Sequence, residues 1–157
     1  DQLREADISN PKGYYEYKPV MSLYKDNTWL SKGQDKAVKV VAPLLKYLDS
    51  TLRYKIIFMR RDLNEIIQSQ QKMIGKSEQE FPVTLYNKYQ KLLANVNLWD
   101  KSEPGVEILY VNYTDVLENP ASELARIEKF LGVAVNKQQM INSVDVSLYR
   151  NRIKAKK

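Results

Sequence analysis

"YKIIFMRRDLNEIIQSQQKM", Tyr54 to Met73, decides how this chain folds. A short apolar run, Tyr54–Met59, stops at two consecutive arginines, and a helical pattern begins at once. The run has no clean period of two, which is how strands covered on both faces read. Asp62 then suits the residue that opens a helix, and Glu65 completes a capping box with it. Leu63, Ile66, Ile67, Met73 and Ile74 fall on one face of that helix. The stretch is therefore a strand handed over directly to an amphipathic helix.

Working outward, Lys36–Ala42 ("KAVKVVA") and Val106–Asn112 ("VEILYVN") read as two further short, mostly apolar strands. A helix from about Gln79 to Trp99 carries Leu85, Tyr89, Leu92, Val96 and Trp99 at alternating spacings of four and three, a stripe that reads as core. Another opens at "NPASELARIEKFLG", with Asn119 as cap, Pro120 in the first turn and Gly132 at the stop. Its Leu124, Ile127 and Leu131 should face the sheet. The order strand, strand, helix, helix, strand, helix predicts an α/β layered domain with a largely parallel sheet.

Three strands are few for such a sheet, where about five are usual. The first thirty-five residues offer loop and helix but no good strand, and the chain starts at Asp1, not Met. The expectation is one incomplete domain over residues 1–157 that lacks its first βα unit, ending in a basic tail at 150–157.

Composition narrows the chemistry. Hydrophobic residues are 43% and charged residues 28%, as in globular domains, and no apolar run approaches a membrane span. With no secretory signal in view, a cytoplasmic location is expected. There is no Cys, so neither disulfides nor thiol chemistry enter. There is no His either, so a metal site is not expected, and proton transfer falls to Glu, Asp, Lys, Tyr or water. The net charge of +6 favours anionic partners.

Ligands of open α/β sheets bind beyond the carboxyl ends of the strands. Arg60 and Arg61 stand at such an end, just before a helix N-terminus, where free amides and the helix dipole favour an anion. Adjacent residues point opposite ways, so the two arginines should not share a role. Ser69 lies about two turns along the helix on the face of Asp62, so Arg61 and Ser69 can share one anion. The same spacing equally suits a surface Arg–carboxylate network beside an ordinary helical Ser. Tyr113, directly after Val106–Asn112, either supports a base or sugar or is a packed ring. Lys39, interrupting "VKVVAPLL", either snorkels to the rim or binds something anionic.

Together these pieces resemble the sulfotransferase family, whose members transfer a sulfuryl group from 3′-phosphoadenosine 5′-phosphosulfate (PAPS). The resemblance covers most of the chain. "FMRRDLNEIIQS" is similar to the family's strand-ending Arg followed by a helical Ser, which together hold the donor's 3′-phosphate; it implies that role for Arg61 and Ser69. "YVNYTDVLENPASELARIEKFLGV" resembles the family's strand, its Tyr-Glu-Asp-Leu and a Pro-led helix ending in Phe-Leu-Gly, which puts Tyr113 at the adenine end of the donor, with Thr114 in place of the usual Glu. "VKVVAPLLKYL" resembles the Lys-Thr-His-Leu-Pro stretch, which implies that Lys39 stabilises charge near the transferred group. "NPKGYYEYKPV" and "SLYRNR" look like bacterial members, and the latter puts Arg150 and Arg152 in the basic segment that closes on the 3′-phosphate.

The implied fold is a three-layer, P-loop nucleotide-binding α/β sandwich with a mostly parallel central sheet. The implied reaction is sulfuryl transfer to a hydroxyl or amine of a small-molecule or glycan acceptor. No membrane span, metal or specific nucleic acid is implied. Two features depart from the family. Its Gly-rich phosphosulfate loop is absent, since Gly13, Gly33, Gly75, Gly105 and Gly132 are scattered. Its frequent catalytic His is replaced by Val41, which leaves Glu16 as the nearest candidate base, or else as a solvent-facing residue. The 157-residue chain is accordingly expected to be inactive alone. Two other readings fit the sequence: a nucleotide-dependent phosphotransferase on the same fold, and a non-catalytic basic domain binding nucleic acid or an acidic glycan, although no recognition-helix or RNA-binding motif is present. Acceptor identity and oligomeric state are not encoded legibly.

Overall fold

The computed structural model describes Ala6, Pro11, residues 13–76 and residues 80–149. At its centre two parallel strands, β1 (Tyr54–Arg60) and β2 (Val106–Asn112), pair in register from Tyr54 opposite Val106 to Arg60 opposite Asn112. Parallel neighbours need a long crossover. Here it is supplied by α1 (Leu63–Met73) and α2 (Val83–Ser102), which pack on one another. After β2 come the short α3 (Tyr113–Glu118), then α4 (Pro120–Leu131) and α5 (Lys137–Ser143).

Side chains alternate across the pleat, and the two faces of the sheet feed two cores. On one face Phe58 packs with Leu45 and with Val96 of α2, flanked by Ile56, Leu93, Trp99, Ile108 and Tyr110. On the other, Val111 packs with Leu124 and Ile127 of α4, flanked by Leu109, Leu131, Met140 and Ile141. Helices thus cover both faces of β2, whereas β1 is buried on the Phe58 side and leaves Lys55, Ile57 and Met59 exposed on the other, so the missing period of two in its sequence does not mark cover on both faces. Of the α2 stripe, Val96 and Trp99 reach the Phe58 core while Leu85, Tyr89 and Leu92 are half-buried outside it, and the α4 triplet Leu124, Ile127 and Leu131 is core, as its spacing predicts.

The stretch Lys36–Ala42 is not a strand. Residues 36–41 have no regular structure, and Ala42–Tyr47 forms a 3-10 helix with Pro43 in its first turn. Proline fixes φ and lacks the amide a ladder needs, so it starts the helical turn. Val40, Ala42 and Leu45 still reach the Phe58 core, so the apolar content marked burial and not extension. Among the described residues the sheet therefore has two strands, not three.

Helix ends follow the sequence with three differences. Asp62 accepts from Asn64 N at 2.7 Å, whereas the carboxylate of Glu65, expected in a capping box, turns to Arg61 and Tyr149. Asn119 occupies the cap position of α4 but makes no side-chain cap bond. Gly132 ends α4 at φ +73, the left-handed geometry that glycine adopts without a Cβ penalty. The helix expected from Gln79 runs from Val83, and Gln79 itself lies outside the described residues.

Candidate functional site

The carboxyl ends of β1 and β2 lie side by side, and the chain leaves both directly into helices. Between them opens a cavity of ≈ 290 Å³ lined by Arg60, Arg61, Asp62, Glu65, Asn112, Thr114 and Tyr149. This is where open α/β sheets place ligands.

The two arginines part company here. Arg60 turns toward α2, donating from Nη2 to Asn97 Oδ1 at 2.9 Å, with its guanidinium carbon 3.7 Å from the centroid of the Tyr110 ring. Arg61 turns into a cage. Its Nε donates to Glu65 Oε2 at 2.9 Å, and its guanidinium carbon lies 4.9 Å from the Tyr113 ring centroid and 5.1 Å from that of Tyr149. The two rings meet edge to face, 5.4 Å apart. Tyr149 OH donates to both oxygens of Glu65, at 2.8 and 2.9 Å. A guanidinium between π faces and against a buried carboxylate is held in one orientation.

Tyr113 reaches this cage because it opens α3 immediately after β2. Tyr149 arrives from the other end of the chain, where a 3-10 turn over Val146–Leu148 is fixed by Asp145 accepting from Ser147. Behind the cage, Tyr110 donates to Asp100 Oδ2 at 3.2 Å. Burial, and then the Asp100 charge, push the Tyr110 phenol above its usual range, opposed by Arg60.

The other sequence candidates fall elsewhere. Ser69 is half-buried farther along α1 and is not in the cavity lining. Lys39 and Glu16, expected independently as charge stabiliser and base, are brought together: Lys39 Nζ lies 3.9 Å from Glu16 Oε1 and donates to the carbonyl of Tyr14. Neither lines the Arg61 cavity. Arg150 and Arg152 lie outside the described residues. Sequence reasoning missed Glu65 and Tyr149 as site residues. Glu65 had a local explanation as a cap. Tyr149 sat in "SLYRNR", where the arginines drew attention.

Residues 46–137, more than half of the chain, match the sequence profile of the Sulfotransferase family. The chain belongs to the sulfotransferase family. The matched region runs from the 3-10 turn before β1 to the start of α5, so it contains both strands, Arg61, Ser69 and Tyr113. It ends before Tyr149 and begins after Lys39 and Glu16. No curated protein and no solved structure matches this sulfotransferase-family chain. Among its described residues no group of three or more acidic side chains is placed to hold a metal ion, and no helix is long and apolar enough to cross a membrane.

Proposed function

We propose that this chain carries the nucleotide end of a sulfotransferase donor site, with PAPS as the sulfuryl donor. The observation that carries the reading is Arg61, caged by Tyr113, Tyr149 and Glu65 at the carboxyl end of β1. Arg offers a rigid fork of donors suited to phosphate, and aromatic rings beside it suit an adenosine. A cavity of ≈ 290 Å³ is at the lower end for small molecules, of the order of a phosphate and its sugar. In this reading Arg61 and Ser69 hold the 3′-phosphate, Tyr113 supports the adenosine, and Arg150 and Arg152 close on the phosphate from the C-terminal side.

Transfer is an in-line displacement: an acceptor hydroxyl or amine attacks sulfur, the bond from sulfur to the bridging phosphate oxygen breaks, and the acceptor proton passes to a base. Such chemistry depends on positioning and on stabilising the charge that develops on the leaving phosphate. Lys39 supplies charge stabilisation and Glu16 the base, their pairing keeping the two near each other. The acceptor is a small molecule or glycan. The working sheet is the central layer of a P-loop-type sandwich. Its support is the helical cover on both faces of β2, together with Ile57 and Met59, which stay 38% and 49% exposed on an apolar strand. Because none of the five glycines forms a phosphosulfate-gripping loop, the 157 residues alone should not catalyse transfer.

Calorimetric titration of adenosine 3′,5′-bisphosphate tests the assignment. Arg61→Ala and Ser69→Ala should each weaken binding about tenfold or more, the scale of one charge-assisted phosphate contact. Affinity untouched by both substitutions would sink it. Labelled PAPS with this chain should give no transfer, and measurable transfer would refute the inactivity. The basic-domain reading has the net charge of +6 in its favour, and a steep salt dependence of binding to arbitrary DNA would support it instead.

A further inference from the structure

Glu65 is 4% exposed, one of two acidic side chains buried among the described residues. A buried ion pair is a poor source of stability, because desolvation offsets most of the Coulomb attraction. What this carboxylate does is geometric. It holds Arg61 at the Nε edge, and with its two oxygens it accepts the hydroxyl of Tyr149, 84 positions away in sequence. Tyr149 in turn stands edge-on to Tyr113 and beside the Arg61 guanidinium. One carboxylate therefore fixes both the direction of Arg61 and the position of the segment that forms one wall of the cavity.

We propose that Glu65 is a positioning residue of the anion site, acting through Arg61, and that it anchors Tyr149 as a strap across the cavity. The role rests on the donor-site reading above. It also makes a prediction opposite in sign to a simple charge effect. Glu65 and Asp62 place two negative charges against the two positive ones of Arg60 and Arg61. If Glu65 acted only by its charge, removing it would improve binding of a phosphate. If it acts by orientation, removing it releases Arg61 and the strap, and recognition of that phosphate falls.

The test compares adenosine 3′,5′-bisphosphate with adenosine 5′-monophosphate, which differ only in the 3′-phosphate. Dissociation constants are measured by calorimetry on the 157-residue chain and on Glu65→Ala, Tyr149→Phe and Arg61→Ala. The ratio of the monophosphate's dissociation constant to the bisphosphate's is the readout, and a general loss of structure would not selectively change it. Glu65→Ala should lower the ratio about tenfold and Tyr149→Phe about threefold, the loss of a charged and of a weaker hydrogen bond respectively. Tyr149→Phe keeps the ring against Tyr113, so the proposal stays testable even where Glu65→Ala fails to fold. An unchanged or raised ratio in either variant, with Arg61→Ala abolishing discrimination, overturns the positioning role and leaves the donor site standing. Discrimination that survives Arg61→Ala overturns the donor-site reading, and the positioning role falls with it.

Discussion

At the scale of single residues, Tyr110 shows how the sheet and the site are joined. It is packed against Phe58, roofed by Arg60 and bonded to Asp100. Its phenol is pushed up by burial and by Asp100, and the Tyr54 phenol is pushed up mainly by burial. A raised folded-state pKa means that stability is complete below the unfolded value, about 10, and is lost as pH climbs through the folded one. Alkaline unfolding should therefore set in above about pH 10, as these two phenols are driven to ionise. Absorbance at the phenolate band follows this directly, and Tyr110→Phe should remove one late-titrating ring. If the titration of Tyr110→Phe keeps the same late phase, the raised Tyr110 phenol is wrong.

Residue placements were legible where chemistry and position coincided. Arg60 and Arg61 could be told apart because neighbours on a strand diverge, and Tyr113 was placed by following a strand end. Glu65 was not legible, because a carboxylate at the third position of a helix has a sufficient local reason to be there. Only the fold shows that Tyr149 comes from the far end of the chain to bond it. Ser69 keeps the spacing that made it a candidate, yet nothing local predicts that the cavity lining stops short of it.

At the scale of elements, β1 and β2 were legible because seven-residue apolar runs bounded by polar turns have few alternatives. Lys36–Ala42 has similar composition, but Pro43 removes the amide and fixes the backbone just where the strand would need to continue. Two glycines set the frame. A Cβ on Gly105 would stand 2.9 Å from the Leu52 carbonyl oxygen, at the point where Tyr54 N donates to Gly105 O. Gly105→Ala should spread the start of the β1–β2 pair and lower the thermal midpoint well below that of Gly33→Ala, where nothing lies within 4 Å. Gly132→Ala should cost about 1–2 kcal/mol through its left-handed backbone. Denaturant melts rank all three, and a harmless Gly105→Ala would contradict the close approach.

The junction of α4 and α5 carries one part of the acid response. Glu128 accepts from Lys137 Nζ at 2.6 Å and from Val135 N at 3.3 Å, and first the Lys137 bond, then the backbone bond, hold its carboxyl below the usual range. A lowered folded-state pKa gives stability that is present above the unfolded value and is lost as pH falls through the folded one. Glu128→Gln should therefore be less stable than the parent at neutral pH and converge with it under acid, as followed by circular dichroism. Parallel curves at all pH values would show that the pair contributes nothing through ionisation.

At the scale of the whole molecule, Ile67 and Val111 are both fully buried, while Ile57 and Met59 are not, although all four belong to the elements that frame the site. Ile67→Ala should cost about 2–5 kcal/mol, and Met59→Ala much less, since little apolar surface leaves water there. The exposed pair lies on the face of β1 opposite Phe58, next to a strand edge that no other described strand occupies. Such a patch promotes association. Light scattering of concentrated chain should fall when Ile57 and Met59 are replaced by Thr and Lys together, with the thermal midpoint unchanged.

The parallel pairing of β1 with β2 also sets an order of events during synthesis. Tyr54 cannot meet Val106 until about fifty further residues have emerged, because parallel partners cannot be zipped by a tight turn. β1 therefore waits on the ribosome as an apolar strand without its partner β2, while α1 and α2 can form locally behind it. The cage around Arg61 is later still, since Tyr149 must clear the exit before it can bond Glu65. The proposed anion site is thus among the last things this chain can build, and a polypeptide halted before residue 149 would have its helices but not the cage around Arg61.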